Sequence, residues 1–202
     1  MKLQTDKNSE SFMRYITYGR EDEKLGMICT NAGFTRVKPY AIYPPNINAH
    51  PAAFRKIAEG RILPEFQIAY IARGEGTFEA EDTTYKVVPG SVLIMFPGQR
   101  HRAKPVIEEG WDEYWVGFNG PFFTSMTQEG ILCRDHVFFE TGLRNHILSI
   151  MMQYTRRLPR NTPSISLKHV RQYCLLLLKF LAVADRWFNP IITESSWKKP
   201  NT

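Results

Sequence analysis

The chain has 202 residues, 43% of them apolar, which is enough for one full-sized domain and short for two. Twenty-six lysines and arginines against 20 acidic residues give a formal net charge of +6, but the basic residues are scattered in doublets such as Arg156 with Arg157, the pattern of a solvated surface rather than of a nucleic-acid groove. Cys29, Cys133 and Cys174 are widely spaced without a C-x-x-C pair, which argues against a disulfide framework and a zinc site; neither MKLQTDKNSESFM nor CLLLLKFLAVA supports export or membrane spanning, and a reducing, cytoplasmic compartment is expected.

From Phe12 to Phe118 short runs of Val, Ile, Tyr, Phe and Thr alternate with Gly, Pro and Asp, the pattern of many short strands joined by turns. The stretch FQIAYIARGEGTFEAEDTTYKVV predicts strands over Phe66 to Ala72, Thr77 to Ala80 and Thr84 to Val88, with corners at Gly74 to Gly76 and at Glu81 and Asp82. Sequential antiparallel pairing is the expected topology. Val88-Pro89-Gly90-Ser91 and Phe96-Pro97-Gly98-Gln99 each suit a type II turn, because proline presets φ at the second position and glycine accepts the positive φ of the third. Between them, Ser91 to Phe96 spans only ~20 Å as a strand. Its apolar character predicts cover on both faces, by a barrel interior on one side and a helix or terminal segment on the other. In WDEYWVGF, Trp111, Glu113, Trp115 and Gly117 share one face, and Asp112, Tyr114, Val116 and Phe118 the other.

From Pro121 onward the pattern turns helical. Pro121, Phe122, Phe123 and Met126 predict a short helix closed by Gly130, and Leu143, Ile147, Ile150, Met151, Tyr154 and Leu158 a second one ending before Pro159. A third, from Thr162-Pro163 to Phe188, carries two apolar stripes: Leu167, Val170, Cys174, Leu177, Leu181, Ala184 and Phe188, and separately Tyr173, Leu176, Phe180, Val183 and Trp187. One stripe docks a helix on its own domain, so the second implies either burial between barrel and neighbouring helix or a two-fold interface with another copy. The homodimer is the expectation, through the second stripe. NPIITESSWKKPNT then reads as a linker or frayed end.

The ordered set Arg61-Ile62-Leu63-Pro64, Tyr70-Ile71-Ala72-Arg73-Gly74-Glu75-Gly76, Val88-Pro89-Gly90, Phe96-Pro97-Gly98-Gln99-Arg100-His101 and Trp111 to Phe118 resembles the regulatory domain of AraC-family bacterial transcription factors, over about residues 12 to 188. The resemblance implies a cupin-like double-stranded β-helix, mainly β with C-terminal α: an effector-binding barrel over 1–120, a helical dimerisation part over 121–188 and a tail over 189–202. It also implies a small-molecule effector, no cofactor, and DNA contact only through a module of two helix-turn-helix units. Such a module needs on the order of 100 further helical residues, so the chain is either a fragment of a longer regulator, the favoured expectation, or a stand-alone sensor.

The resemblance further implies that Arg61, Glu113 and Trp115 face the ligand, and that Phe12 to Tyr18 acts as an arm over the pocket, although FMRYITY suits an edge strand equally. An arginine fork, a carboxylate and an indole suit a polar ligand with hydroxyls, a sugar or related metabolite. The competing arrangement has Trp115 in the core and Arg61 paired with Glu113. His101 is either a ligand contact or a buried structural side chain. Arg102 and Ala103 depart from the sugar-sensing pattern. Pro97-Gly98-x-x-His101 also resembles the second metal motif of cupin enzymes, but no histidine lies between His50 and His101 to complete the set of three or four ligands that a transition metal needs. A metal-dependent oxygenase or isomerase is therefore the alternative, and no metal or catalytic residue is assigned.

Overall fold

Pro89-Gly90 and Pro97-Gly98 both make the anticipated turn. Gly90 and Gly98 have φ of 94° and 75°, and the N–H of Ser91 and of Gln99 donates back to the carbonyl of Val88 at 3.0 Å and of Phe96 at 3.2 Å. The Ser91 hydroxyl fastens the first turn further by accepting the Val88 N–H at 3.0 Å. Each turn moves the chain from one β-sheet to another. The computed structural model describes residues 11–24, 26–45, 52 and 59–157, and in these the strands are β1 (Phe12–Tyr15), β2 (Ile28–Val37), β3 (Arg61–Ile62), β4 (Phe66–Gly74), β5 (Gly76–Ala80), β6 (Thr83–Val87), β7 (Ser91–Met95), β8 (Arg100–Pro105), β9 (Trp111–Asn119) and β10 (Phe138–Glu140). The helices are α1 (Arg20–Glu23), α2 (Pro121–Gln128) and α3 (Asn145–Arg157).

The larger sheet has the order β1-β2-β9-β4-β7-β10 and the smaller β3-β8-β5-β6. The strands of FQIAYIARGEGTFEAEDTTYKVV fall where the sequence places them, within a residue or two. Their pairing corrects the sequential expectation. Only β1 with β2 and β5 with β6 are neighbours in chain and sheet, whereas β4 lies between β9 and β7, and β5 between β8 and β6. The physical reason is that the corners after β4, β6, β7 and β8 carry the chain across the barrel, so consecutive strands alternate between facing sheets.

All five residues of β7 are buried. Leu93 and Met95 line the barrel interior. On the other face Val92 stands opposite Tyr70, whose phenol accepts the Arg144 N–H at 3.0 Å just before α3. Helix α3 packs Ile147, Leu148 and Met151 against the outer side of β2, β9 and β4. Leu143, expected on that stripe, precedes the helix and is exposed, with Leu148 in its place. Phe123 of α2 packs with its ring tilted against Phe118 at 4.3 Å and Phe66 at 6.1 Å, covering another part of the same outer face. Pro121 opens α2, and Gly130 follows its end with φ of 73°. The sequence thus folds as a cupin-like barrel with helices on its outer face. No helix of the described residues is long and apolar enough to cross a membrane. The third predicted helix with Tyr173, Leu176, Phe180, Val183 and Trp187, and the tail, lie outside the described residues.

Candidate functional site

Strand alternation aims one side-chain set of each strand into the space between the sheets. From β9 come Glu113 and Trp115, from β4 Gln67 and Ala69, and from β3 Arg61. They surround a small cavity that opens to solvent: about 480 Å³ of non-atom space with its mouth counted, of which about 30 Å³ admits the centre of a water-sized sphere. Three of the four anticipated ligand contacts therefore meet on one wall system.

Glu113 and Arg61 are both buried, yet the ion pairs of the described residues do not include one between them. The two groups are linked through the Tyr43 phenol, which hydrogen-bonds with both, and Arg61 also acts on Glu113 through its charge. Glu113 accepts from the Tyr43 phenol, 3.3 Å from each carboxylate oxygen. Burial pushes its carboxyl up from the usual 4.5 to about 7, against the opposing influence of Arg61 and of hydrogen bonds from Tyr43 and Thr35. Burial and the nearby carboxylate also push the Tyr43 phenol far up, so it stays a donor.

Trp115 belongs to the buried core and also lines the cavity, and its indole Nε1 donates to Asn31 Oδ1 at 3.1 Å. His101 is 1% exposed and does not border the void. It nevertheless faces the barrel interior, because it stands opposite Arg61 across β3 and β8 and two residues before Ala103, both of which line the cavity. Its Nδ1 lies 3.2 Å from the Gln99 carbonyl, which can only accept, so Nδ1 carries the proton and Nε2 is a bare acceptor. That Nε2 is buried with no hydrogen-bond partner. Desolvation first, and then the Arg61 charge, bring the imidazole down from 6.5 to about 3, so it is neutral across the physiological range. Arg102 points away and pairs with Glu79, while Ala103 contributes a small side chain to the wall.

Sequence reasoning missed Tyr43, Tyr15, Thr35 and Gln67, which also line the cavity. Thr35 and Gln67 follow from period-two alternation along NAGFTRV and FQIAYIA once the inward phase is known. Tyr43, in the loop YAIYPP, carries no periodic signal. Tyr15 belongs to β1, which forms the edge strand of the larger sheet beside β2, one of the two placements anticipated for FMRYITY. Among the described residues no three histidine, cysteine or carboxylate side chains converge. The interior therefore does not fit the ligand set of a transition-metal cupin site.

A cupin-like barrel with a small cavity of mixed polar and apolar lining is the architecture of a small-molecule binding domain. The sequence matches the family model for AraC-like ligand binding domains over residues 59–197, and the chain belongs to that family. It is 23% identical over 120 residues to the lactose operon transcription activator of Staphylococcus xylosus, an alignment covering 58% of this chain and 39% of that protein. Apo ToxT from Vibrio cholerae superposes with a TM-score of 0.51 at 10% identity, over 89% of this chain and 60% of that one. A cupin 2 conserved barrel domain protein from Salinispora arenicola aligns with a TM-score of 0.34 at 12% identity, over 59% of this chain and 84% of that one. The chain spans well under half the length of its curated relative.

Proposed function

We propose that this chain is the effector-sensing and dimerising part of a DNA-binding transcription regulator, and that the effector is a small hydroxylated ring, a sugar or close relative, held in the barrel. The observation that carries this reading is the pair of buried opposite charges, Arg61 and Glu113, held beside one cavity without an ion pair between them. Burying two ionisable groups of opposite sign is costly even where the Tyr43 phenol bonds to both, so their retention beside a void argues for a ligand that uses their remaining hydrogen-bonding capacity. Arg61 donates to ligand oxygens, Glu113 accepts from hydroxyls above about pH 7 and can donate below it, and the Trp115 ring stacks on the apolar face of the ring. His101 Nε2 accepts a hydroxyl reaching past Arg61, which would satisfy its orphaned lone pair. The name of the staphylococcal relative points to the same chemical class. Contact with DNA belongs to a module outside this chain, and dimerisation to the stripe of Tyr173, Leu176, Phe180, Val183 and Trp187.

A thermal-shift series with monosaccharides and disaccharides, D-galactose and lactose among them, tests the reading. A binder at 100 times its dissociation constant adds about 2.7 kcal/mol of stability. Arg61→Met and Glu113→Gln should each remove most of that shift. A series in which no sugar raises the melting temperature, or in which both variants respond like the wild type, overturns the assignment.

A further inference from the structure

Two of the cavity walls, Trp115 and Gln67, are held from behind by one amide. The β2–β9 register slips between Cys29 and Asn31, leaving Thr30 as the extra residue of a β-bulge. Bulges re-aim neighbouring side chains, and here Thr30 and Asn31 both turn toward Glu65. Asn31 Nδ2 donates to Glu65 Oε1 and, at 3.3 Å, to Thr30 Oγ1. Its Oδ1 accepts Trp115 Nε1 at 3.1 Å and Gln67 Nε2 at 3.3 Å. A side-chain amide offers two donor hydrogens and two acceptor lone pairs, and all four are taken. The amide has one permitted orientation, since a flip would set its carbonyl against the Glu65 carboxylate and its NH2 against two N–H donors.

The backbone is cleared for this cluster at two places. A Cβ at Gly117 would stand 2.3 Å from Asn31 Nδ2 and 2.7 Å from Glu65 Oε1. One at Gly33 would stand 2.3 Å from Trp115 Cζ2, so the indole lies directly over the β2 backbone. Neither Asn31 nor Glu65 borders the cavity, but both residues that Asn31 holds through its oxygen do.

We propose that Asn31 is a positioning residue for the effector: its amide sets the plane of the Trp115 indole and the orientation of the Gln67 amide, and Glu65 dictates which way round the Asn31 amide sits. With Nε2 committed to Asn31, Gln67 turns its carbonyl away from Asn31 and toward the cavity, where it accepts from ligand hydroxyls. The consequence for affinity rests on the effector reading above; the geometry of the indole does not.

The test exchanges the carboxyl and the amide. Asn31→Asp keeps the shape but places two carboxyls face to face, while Asn31→Asp with Glu65→Gln restores one amide and one carboxyl with their places traded. The probe is the Trp115 indole N–H resonance of the full 15N-labelled chain, assigned by its disappearance in Trp115→Phe. In the single variant it should be displaced at neutral pH and return toward the wild-type position as acid lets the two carboxyls share a proton. In the double variant it should lie near the wild-type position at every pH. Lactose affinity should fall about ten-fold in the single variant and recover to within about three-fold in the double one, the scale of one or two lost hydrogen bonds. An unmoved, pH-independent resonance in the single variant, or a double variant no closer to wild type than the single, overturns the proposal. If the single variant does not fold, the double variant decides: a folded chain with a wild-type resonance supports it, and an unfolded one alongside a folded Glu65→Gln overturns it. A wild type that binds no sugar of the thermal-shift series would sink the sugar assignment, while the indole resonance still decides the role of Asn31.

Discussion

His101 and Glu113 are buried titratable groups that the fold displaces in opposite directions, and their effects on stability oppose each other. The imidazole falls from 6.5 to about 3 on folding, so the unfolded chain binds a proton that the folded one refuses, and the stability it allows is complete above 6.5 and lost on acidification toward 3. The Glu113 carboxyl rises from 4.5 to about 7, so the folded chain keeps a proton that the unfolded one gives up. Its contribution is complete below 4.5 and lost as pH rises through 7. Between 4.5 and 6.5 the two slopes, each at most about 1.4 kcal/mol per pH unit, largely cancel. Glu113→Gln should therefore lose stability faster than wild type as pH is lowered across that window, and His101→Gln should gain stability relative to wild type over the same interval. Urea denaturation at a series of pH values measures both, and a variant-to-wild-type difference flat in pH would contradict the burial of the group concerned. Of this site the sequence made Arg61, Glu113 and Trp115 legible, because alternation along WDEYWVGF and the family resemblance give the face. Asn31 and Glu65 were not legible: their meeting depends on a bulge at Thr30 and on the missing Cβ of Gly117, and neither has a signature in residue spacing.

At the scale of elements the two Pro-Gly corners look alike in sequence and differ in surroundings. Both glycines need a positive φ, which costs an L-residue roughly 1–2 kcal/mol. A Cβ on Gly98 would meet nothing within 4 Å, whereas one on Gly90 would stand 2.1 Å from the carbonyl carbon of Gly142. The reason is that the first corner is covered by the chain leaving β10, where Thr141 N–H donates to the Gly90 carbonyl at 3.1 Å. Gly98→Ala should cost about 1–2 kcal/mol. Gly90→Ala should cost clearly more, because an overpacked contact of roughly 1–3 kcal/mol is added to the same backbone strain. Equal losses in chemical denaturation would show that the two corners are equivalent after all. The corners, the β5–β6 hairpin and the first two C-terminal helices were readable because turn chemistry and apolar periodicity are local. Strand partnership was not, since whether a corner reverses the chain within a sheet or carries it to the opposite one depends on what waits across the barrel.

For the whole molecule, the open matter is what the C-terminal stripes cover. Helix α3 already lies on the outer face of β2, β9 and β4 and presents Ile147, Leu148 and Met151 to it. It docks with one face, as an amphipathic helix on a sheet does. The segment from Thr162 to Phe188 carries two stripes, and a single docking surface accounts for only one. On the proposed dimer reading, a second copy related by a two-fold axis would supply a matching surface for the other. The expected outcome is a dimer by light scattering at micromolar concentration, converted to a monomer by Phe180→Asp together with Leu176→Asp, because two buried charges facing their own copies oppose association. Every described residue that lines the cavity lies between Tyr15 and Trp115, so the monomeric variant should keep the sugar-dependent thermal shift. A variant that stays dimeric would move the interface off this stripe, and a monomeric wild type would leave both stripes to the protein's own interior.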